Sequence, residues 1–280
     1  MDFQPILATE PTLAFTLGVG TERKTTGSYY TRPELVQELT KSALEPVIAD
    51  RLGTAKGDQE QALLALSVCD PACGSGHFLL AAARRIGTEL AKVRTGEEAP
   101  APDAVRTAVR DVITHCIYGV DKNPLAVDLC KVALWIEGHS GGKPLTFLDH
   151  RIRCGDSLVG VFDLSILHDG IPDAAFDAVS GDEKPVAKAV KASNKRERGG
   201  QRGFTFDTHE EIGDLLAERQ ELDSLHDDTA DEVHRKRAAF ERLQREGGTL
   251  WRERMACNLW TAAFFADLTE EAQAKRRIPT

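Results

Sequence analysis

The stretch Leu63-Leu-Ala-Leu-Ser-Val-Cys-Asp70-Pro-Ala-Cys-Gly74-Ser-Gly76 decides how the chain is read. Leu63 to Cys69 is a short apolar run that ends at a carboxylate, Asp70, and passes at once into Pro71, Gly74 and Gly76. An apolar run bounded by turn residues has the pattern of a buried strand, so a strand over 63–69 feeding a glycine-rich turn is expected, with a helix following from about Gly76 to Val93. Such a turn lets backbone approach a ligand where a side chain would clash. Gly74 and Gly76 remove that clash and tolerate positive φ. The helix N-terminus just beyond offers unpaired N–H groups, suited to the carboxylate of an amino-acid-bearing cofactor.

Working outward, the same step repeats twice. Pro100 and Pro102 mark 97–103 as a loop, and a helix is expected over 104–115. Ile117 to Val120 reads as a second strand ending at Asp121, and Pro124 opens a helix to about Glu137. Arg151 to Cys154 is a third candidate strand, ending near Asp156. Strands alternating with helices predict an α/β fold with a parallel sheet. In such sheets the ligand crevice lies at the carboxyl ends of the strands, where all three acids arrive. Upstream, Thr31-Arg-Pro-Glu34 reads as a capped helix start, with Leu35, Val36, Leu39, Leu44, Val47, Ile48 and Leu52 on one face and Gly53 as the stop. Residues 1–22 show no clear period and are expected to wrap the domain or fray.

Beyond about Gly181 the character changes. Lys184 to Arg202 is a basic run with Gly199-Gly200 inside it, most simply a solvated segment, with contact to a phosphate backbone as the rival reading. Thr208-His-Glu-Glu211 and Thr229-Ala-Asp-Glu232 fit capping boxes and predict helices over 209–224 and 230–246. A third helical stretch carries Trp251, Trp260, Phe264 and Phe265, expected to be core. Three regions are expected: 1–60, a helical region; 61–181, the α/β part; and 182–280, a basic linker with a helical insertion.

Composition narrows the function classes. The chain has 280 residues, 41% apolar and 28% charged, which suits a globular protein. No stretch approaches the roughly 20 apolar residues of a membrane span, and Met1 to Glu10 lacks the pattern of a secretory signal. A cytoplasmic setting is therefore expected. Six cysteines form no C-x-x-C pair, which argues against a zinc site; most sit within apolar segments, which suits reduced, buried thiols, and the eight histidines show no metal-ligand spacing. A net charge of −9 is a poor balance for gripping a polyanion, so any nucleic-acid surface must be local or lie elsewhere.

Each further motif is weak alone. Tyr118-Gly-Val-Asp121-Lys-Asn-Pro124 places an acid where it could accept from vicinal ribose hydroxyls, through charge-assisted bonds of roughly 1.5–3 kcal/mol each. Cys154-Gly-Asp156-Ser places another acid where it could accept from an adenine amino group, and Gly27-Ser-Tyr-Tyr-Thr-Arg-Pro33 sets an aromatic pair at a loop-to-helix junction. A nicotinamide or flavin fingerprint fits badly, because the third glycine would fall at Leu79 and Asp121 is far beyond the usual interval of about 20 residues.

In this order, G-x-Y-Y-T-x-P, D-P-A-C-G-S-G-H-F-L, Y-G-V-D-x-N-P and C-G-D-S-L resemble the gamma-type adenine-specific DNA methyltransferases, most of all the large enzymes of restriction–modification and phage-exclusion systems. The match runs from about Gly27 to Gly160. The resemblance implies a Rossmann-like S-adenosylmethionine-dependent methyltransferase core, its sheet incomplete, with an all-helical insertion or subdomain. It implies that Tyr30 and Thr31 border the methionine end of S-adenosylmethionine. Asp70, Pro71, Ala72, Gly74 and Gly76 would cradle it, Asp121 would hold the ribose and Asp156 the adenine, and Leu158 would flank the ring.

The family's catalytic Asn-Pro-Pro-aromatic motif, which accepts the two N–H bonds of a flipped adenine and stacks on its ring, is not found. The chain contains no Pro-Pro, and its only Asn-Pro is Asn123-Pro124. A near-miss, Phe176-Asp-Ala-Val-Ser-Gly-Asp-Glu-Lys-Pro185, puts Asp182, Glu183 and Lys184 where Asn-Pro-Pro belongs. The expectation is therefore a cofactor-binding amino-terminal part, inactive alone. DNA would be engaged through a full-length enzyme or a second chain carrying the catalytic and target-recognition parts. The rival is a non-catalytic cofactor-binding or interaction module. An RNA or protein methyltransferase would need its own acceptor loop, and none is found.

Overall fold

A computed structural model describes residues 3–8, 14–19, 31–55, 57–200, 217–275 and 277–280. The chain divides into two compact units: Met1–Ser157 with Asp227–Ala230, and Leu158–His226 with Asp231–Thr280.

The first unit is built on a three-stranded parallel sheet, β3 (Val68–Asp70), β4 (Ile117–Asp121) and β5 (Ile152–Cys154), in that spatial order. Register pairs Asp70 with Gly119 and Asp121 with Cys154, so successive strands end side by side. Two helices, α4 (His77–Thr95) and α5 (Pro102–Cys116), connect β3 to β4, and α6 (Pro124–Glu137) connects β4 to β5. Leu79, Ala82, Ala83, Ile86 and Leu90 recur at helical spacing along α4 and are buried against Val109, Val112 and Ile113 of α5 and the sheet residues Ile117 and Ile152. A close helix crossing fixes this core: a methyl group on Gly87 would stand 2.5 Å from Val109 Cγ2 and 2.9 Å from its Cα. Together these elements are a mixed α/β architecture of the expected class.

The amino-terminal part of this unit differs from expectation in three ways. First, Phe3–Ala8 (β1) and Ala14–Val19 (β2) form an antiparallel pair where no period was expected. Second, the helix after Thr31 is interrupted: α1 (Pro33–Leu39) passes through a π-helical turn, Thr40–Leu44, into α2 (Glu45–Thr54). Its N-cap is Arg32 and no side chain caps it, so Thr31 does not serve as the cap; Gly53 lies inside the last turn. Third, the strand expected over 63–69 is only Val68–Asp70, because Gln59–Leu64 is helical (α3). Asp58 caps that helix by accepting from Gln61 N at 2.9 Å, and Leu63 is fully buried on it. An apolar run this short fits a buried helix turn as well as a strand.

Asp227–Ala230 joins the first unit through polar contacts, buried at Asp227 and exposed at Asp228. Asp227 accepts from Phe147 N at 3.3 Å, the Arg110 guanidinium donates to the Asp227 carbonyl at 3.0 Å, and Lys143 pairs with Asp228 at 2.6 Å.

The second unit is helical: α7 (Lys184–Gly200), α8 (217–224), α9 (Ala230–Gln244), α10 (Thr249–Ala262) and α11 (Glu270–Ala274), preceded by 3-10 turns at Leu164–Asp169 and Asp173–Phe176. Its core gathers Phe176, Val186, Ala187, Val190, Ala263 and Leu268. Residues 177–183 form a turn rather than the strand suggested by the near-miss motif. Asp182 accepts from Val179 N and from Leu268 N, both at 2.9 Å, and these two bonds hold its carboxyl below the usual range. The capping box at Thr208–Glu211, and the 209–216 part of its helix, lie outside the described residues. Trp251 and Trp260 are half-buried, but Phe264 and Phe265 are exposed, which corrects their reading as core. No described helix is long and apolar enough to cross a membrane.

Candidate cofactor-binding site

The three strand tips of the first unit are stitched together by hydrogen bonds that cross between the sequence motifs. After β3 the chain turns tightly. Asp70 Oδ1 accepts from Ala72 N at 3.0 Å, and Gly76 N donates to Cys73 O at 2.8 Å. Cys73 N donates to Val120 O at 2.9 Å, so the turn is tied to β4. Gly74 and Gly76 have φ of +53° and +91°, the left-handed region that favours glycine. They differ in surroundings. A methyl group on Gly76 would stand 2.8 Å from Cys130 Sγ, whereas one on Gly74 would meet nothing within 4 Å. Gly76 is shaped by packing, while Gly74 opens onto free space. Gly76 is also the N-cap of α4, so the first-turn N–H groups of that helix start at this loop.

Asp121, at the end of β4, joins the motifs. Its Oδ2 accepts from Gly74 N and its Oδ1 from Asn123 N, each at 2.8 Å, and its carbonyl accepts from Gly155 N at 2.9 Å. Asn123 then caps α6 by accepting from Leu125 N. A carboxylate has about four acceptor positions, so both oxygens of Asp121 retain capacity for a ligand's hydroxyls. At the end of β5, Asp156 pairs with Lys122 at 3.0 Å. Ser157 Oγ donates to Pro71 O at 2.7 Å, tethering the third tip to the first turn. Asp70, Asp121 and Asp156 are all half-buried. Asp70, Pro71, Ala72, Gly74, Gly76, Asp121 and Asp156 thus stand along one rim. Thr31 is half-buried ahead of α1. Leu158 is 94% exposed and belongs to the second unit, and Tyr30 lies outside the described residues.

All six cysteines are free, but Cys69 and Cys154 are exposed rather than buried, because the strands carrying them end at the rim. Buried Cys73 is held strongly protonated, first by its hydrogen bond with Cys130, then by burial and by the charges of Cys130, Asp121 and Asp70. Partial burial and the Asp70 charge raise Cys69 likewise. These neutral thiols do not provide a nucleophile at pH 7. Sequence reasoning missed Lys122 and Ser157: both sit inside recognised motifs, but spacing along the chain cannot say which neighbouring loop each reaches.

This is an α/β protein whose glycine turn and strand-end acids share the carboxyl edge of a parallel sheet. Residues 18–159, about half of the chain, match the family model described as N-6 DNA Methylase, and the chain belongs to that family. It is 25% identical over 255 residues to a Methanocaldococcus jannaschii protein whose name describes a type II restriction enzyme and methyltransferase, covering 70% of this chain and 20% of that protein. It is 34% identical over 102 residues to the adenine-specific methyltransferase PglX of Streptomyces coelicolor, covering 34% of this chain and 8% of that protein. The chain therefore spans a fifth or less of the length of these relatives.

Proposed function

We propose that this chain is the S-adenosylmethionine-binding part of an adenine-specific DNA methyltransferase of a restriction–modification or phage-defence system, with a Rossmann-like core. The single observation that carries the reading is the bond from Gly74 N to the Asp121 carboxylate, which makes one rim out of two motifs 47 residues apart. The residues suit the ligand. Gly74 leaves open space for an approaching group, the start of α4 favours its carboxylate, and two acids on adjacent tips offer acceptors for ribose hydroxyls and an amino group.

Roles follow by position. Asp70, Pro71, Ala72, Gly74 and Gly76 form the cradle, Asp121 accepts from the ribose and Asp156 from the adenine, with Tyr30 and Thr31 bordering the ligand. The bound cofactor supplies a methyl group on a sulfonium, an electrophile. The chain's own residues hold and orient it. The 280 residues contain no Asn-Pro-Pro-aromatic sequence, so methyl transfer to adenine requires that loop from residues outside them, in the same or a second chain. The division into 1–60, 61–181 and 182–280 accompanies this reading.

Calorimetry with S-adenosylhomocysteine tests it. Binding is expected, with a loss of ten-fold or more in Asp121→Ala. A folded protein that binds nothing, or is indifferent to Asp121→Ala, refutes the assignment. Mixing with a chain that carries Asn-Pro-Pro-aromatic, and assaying methyl transfer to DNA, separates a split enzyme from a non-catalytic module.

A further inference from the structure

The basic run of the second unit is a helix, and its cations fall in a row. Lys184, Lys188, Lys191, Lys195 and Arg198 of α7 recur at steps of four, three, four and three residues, which at 3.6 residues per turn keeps them within one narrow stripe. The buried side of the helix is Val186, Ala187, Val190 and Asn194, so the stripe lies beside the packed face and open to solvent. From Lys184 to Lys195 it runs about 16 Å at the usual rise.

Two members of the row have carboxylate partners: Lys191 with Asp177 at 2.6 Å, and Arg198 with Asp173 at 3.3 Å. Lys184, Lys188 and Lys195 are exposed and form no ion pair among the described residues. A solvated helix face ordinarily interleaves acids with bases at i, i+4. Here Lys184 and Lys188, and Lys191 and Lys195, set like charges at that spacing, which is destabilising. Lys184 is also the first helical residue, where the helix dipole disfavours a cation. Three of the five cations of the row thus have no carboxylate partner among the described residues, in a chain whose net charge is −9.

We propose that this stripe of α7 binds the sugar-phosphate backbone of duplex DNA, with Lys184, Lys188 and Lys195 as the phosphate-contacting groups. The choice of DNA as the polyanion rests on the proposed function. The stripe itself is independent of the cofactor seat. Such contacts position a protein on DNA without reading sequence, and three of them contribute a slope of about −2.7 to the dependence of log affinity on log salt. Between 50 and 200 mM salt that is roughly a forty-fold loss of affinity.

The test is anisotropy of the 280-residue chain with a fluorescent random-sequence duplex across that salt range. The triple variant Lys184→Gln, Lys188→Gln, Lys195→Gln is expected to flatten the slope by about 2.7 and to weaken binding at low salt more than ten-fold, with an unchanged circular dichroism spectrum. The same charge change at exposed Arg235, Arg242 and Arg254 of the same unit is expected to leave the slope nearly intact. No duplex binding at 50 mM salt, equal losses in the two triple variants, or preferential displacement of the duplex by single-stranded RNA overturns the proposal. Calorimetry with S-adenosylhomocysteine on the lysine variant keeps the two readings apart. Retained cofactor binding with lost DNA binding supports the stripe, while DNA binding through the stripe without cofactor binding sinks only the cofactor reading.

Discussion

Gly74→Ala and Gly76→Ala separate the fold from the cofactor seat. Both glycines have positive φ, so alanine at either position incurs about 1–2 kcal/mol of backbone strain. At Gly74 nothing lies within 4 Å of the added methyl, and the fold loses no more than that. At Gly76 the methyl also stands 2.8 Å from Cys130 Sγ and 3.5 Å from its Cβ, inside the core, which adds about 1–3 kcal/mol of overpacking. Urea denaturation followed by circular dichroism is expected to rank the stabilities wild type, Gly74→Ala, Gly76→Ala, the last two differing by about 1–3 kcal/mol. Calorimetry with S-adenosylhomocysteine is expected to separate Gly74→Ala in the other direction. Its methyl fills the space into which a ligand must come against backbone, and affinity falls at least ten-fold, which is about 1.4 kcal/mol. If Gly74→Ala binds as tightly as wild type while folded, the open space is not the seat. If Gly76→Ala is as stable as Gly74→Ala, the packing argument is wrong.

Ser157→Ala removes the tether to Pro71 O, and is expected to cost about 0.5–1.5 kcal/mol in urea melts while weakening S-adenosylhomocysteine binding; an unchanged affinity would show that the tether does not shape the seat. A thiol reagent applied to the native protein at pH 8 should modify exposed Cys154 first and Cys69 more slowly, since partial burial and Asp70 raise the Cys69 pKa, and should spare Cys73, Cys116 and Cys130 until denaturant is added. Fast labelling of the last three, followed by mass spectrometry, would contradict the described core. Burial pushes the Cys116 thiol up to about 12. Its folded pKa lies above its unfolded value, so the stability it contributes is complete below about pH 9 and is lost as pH rises toward 12. From pH 8 to 10.5 the loss is about 2 kcal/mol for an ordinary thiol value of 9.0. Guanidinium melts at the two pH values should show that loss reduced by this amount in Cys116→Ala, and equal losses in variant and wild type would refute it.

Local chemistry wrote much of the α/β unit into the chain. Asp121 as the end of a strand, Asn123-Pro124 as the start of a helix, and glycines at 74 and 76 each follow from what one short segment can do by itself. They were legible because turns, caps and positive φ depend on neighbours in sequence. The segment at Leu63 was not. Its apolar run suits either a strand or a buried helix turn, and the outcome lay with Asp58 capping the helix and with Cys116, 53 residues away, placing its thiol 3.5 Å from Leu63 O. The pairing of β1 with β2 was hidden for a related reason, because antiparallel strands gain their bonds from each other rather than from their own periodicity. Cys69 and Cys154 look like core residues until the rim is assembled around them.

The lysine row of α7 shows the same boundary from the other side. Its charge was plain in the sequence, but a run of lysines becomes a directional surface only when one helix face is buried by Val186, Ala187 and Val190 against a distant partner such as Leu268. The sequence by itself determined which residues could serve as acceptors, turns and cations, because those properties belong to single side chains and short segments. Only the tertiary structure decided which of them meet. Bonds such as those from Gly74 N to Asp121 and from Ser157 to Pro71 join positions 47 and 86 residues apart, and such contacts exist only once parallel strands have set their tips side by side.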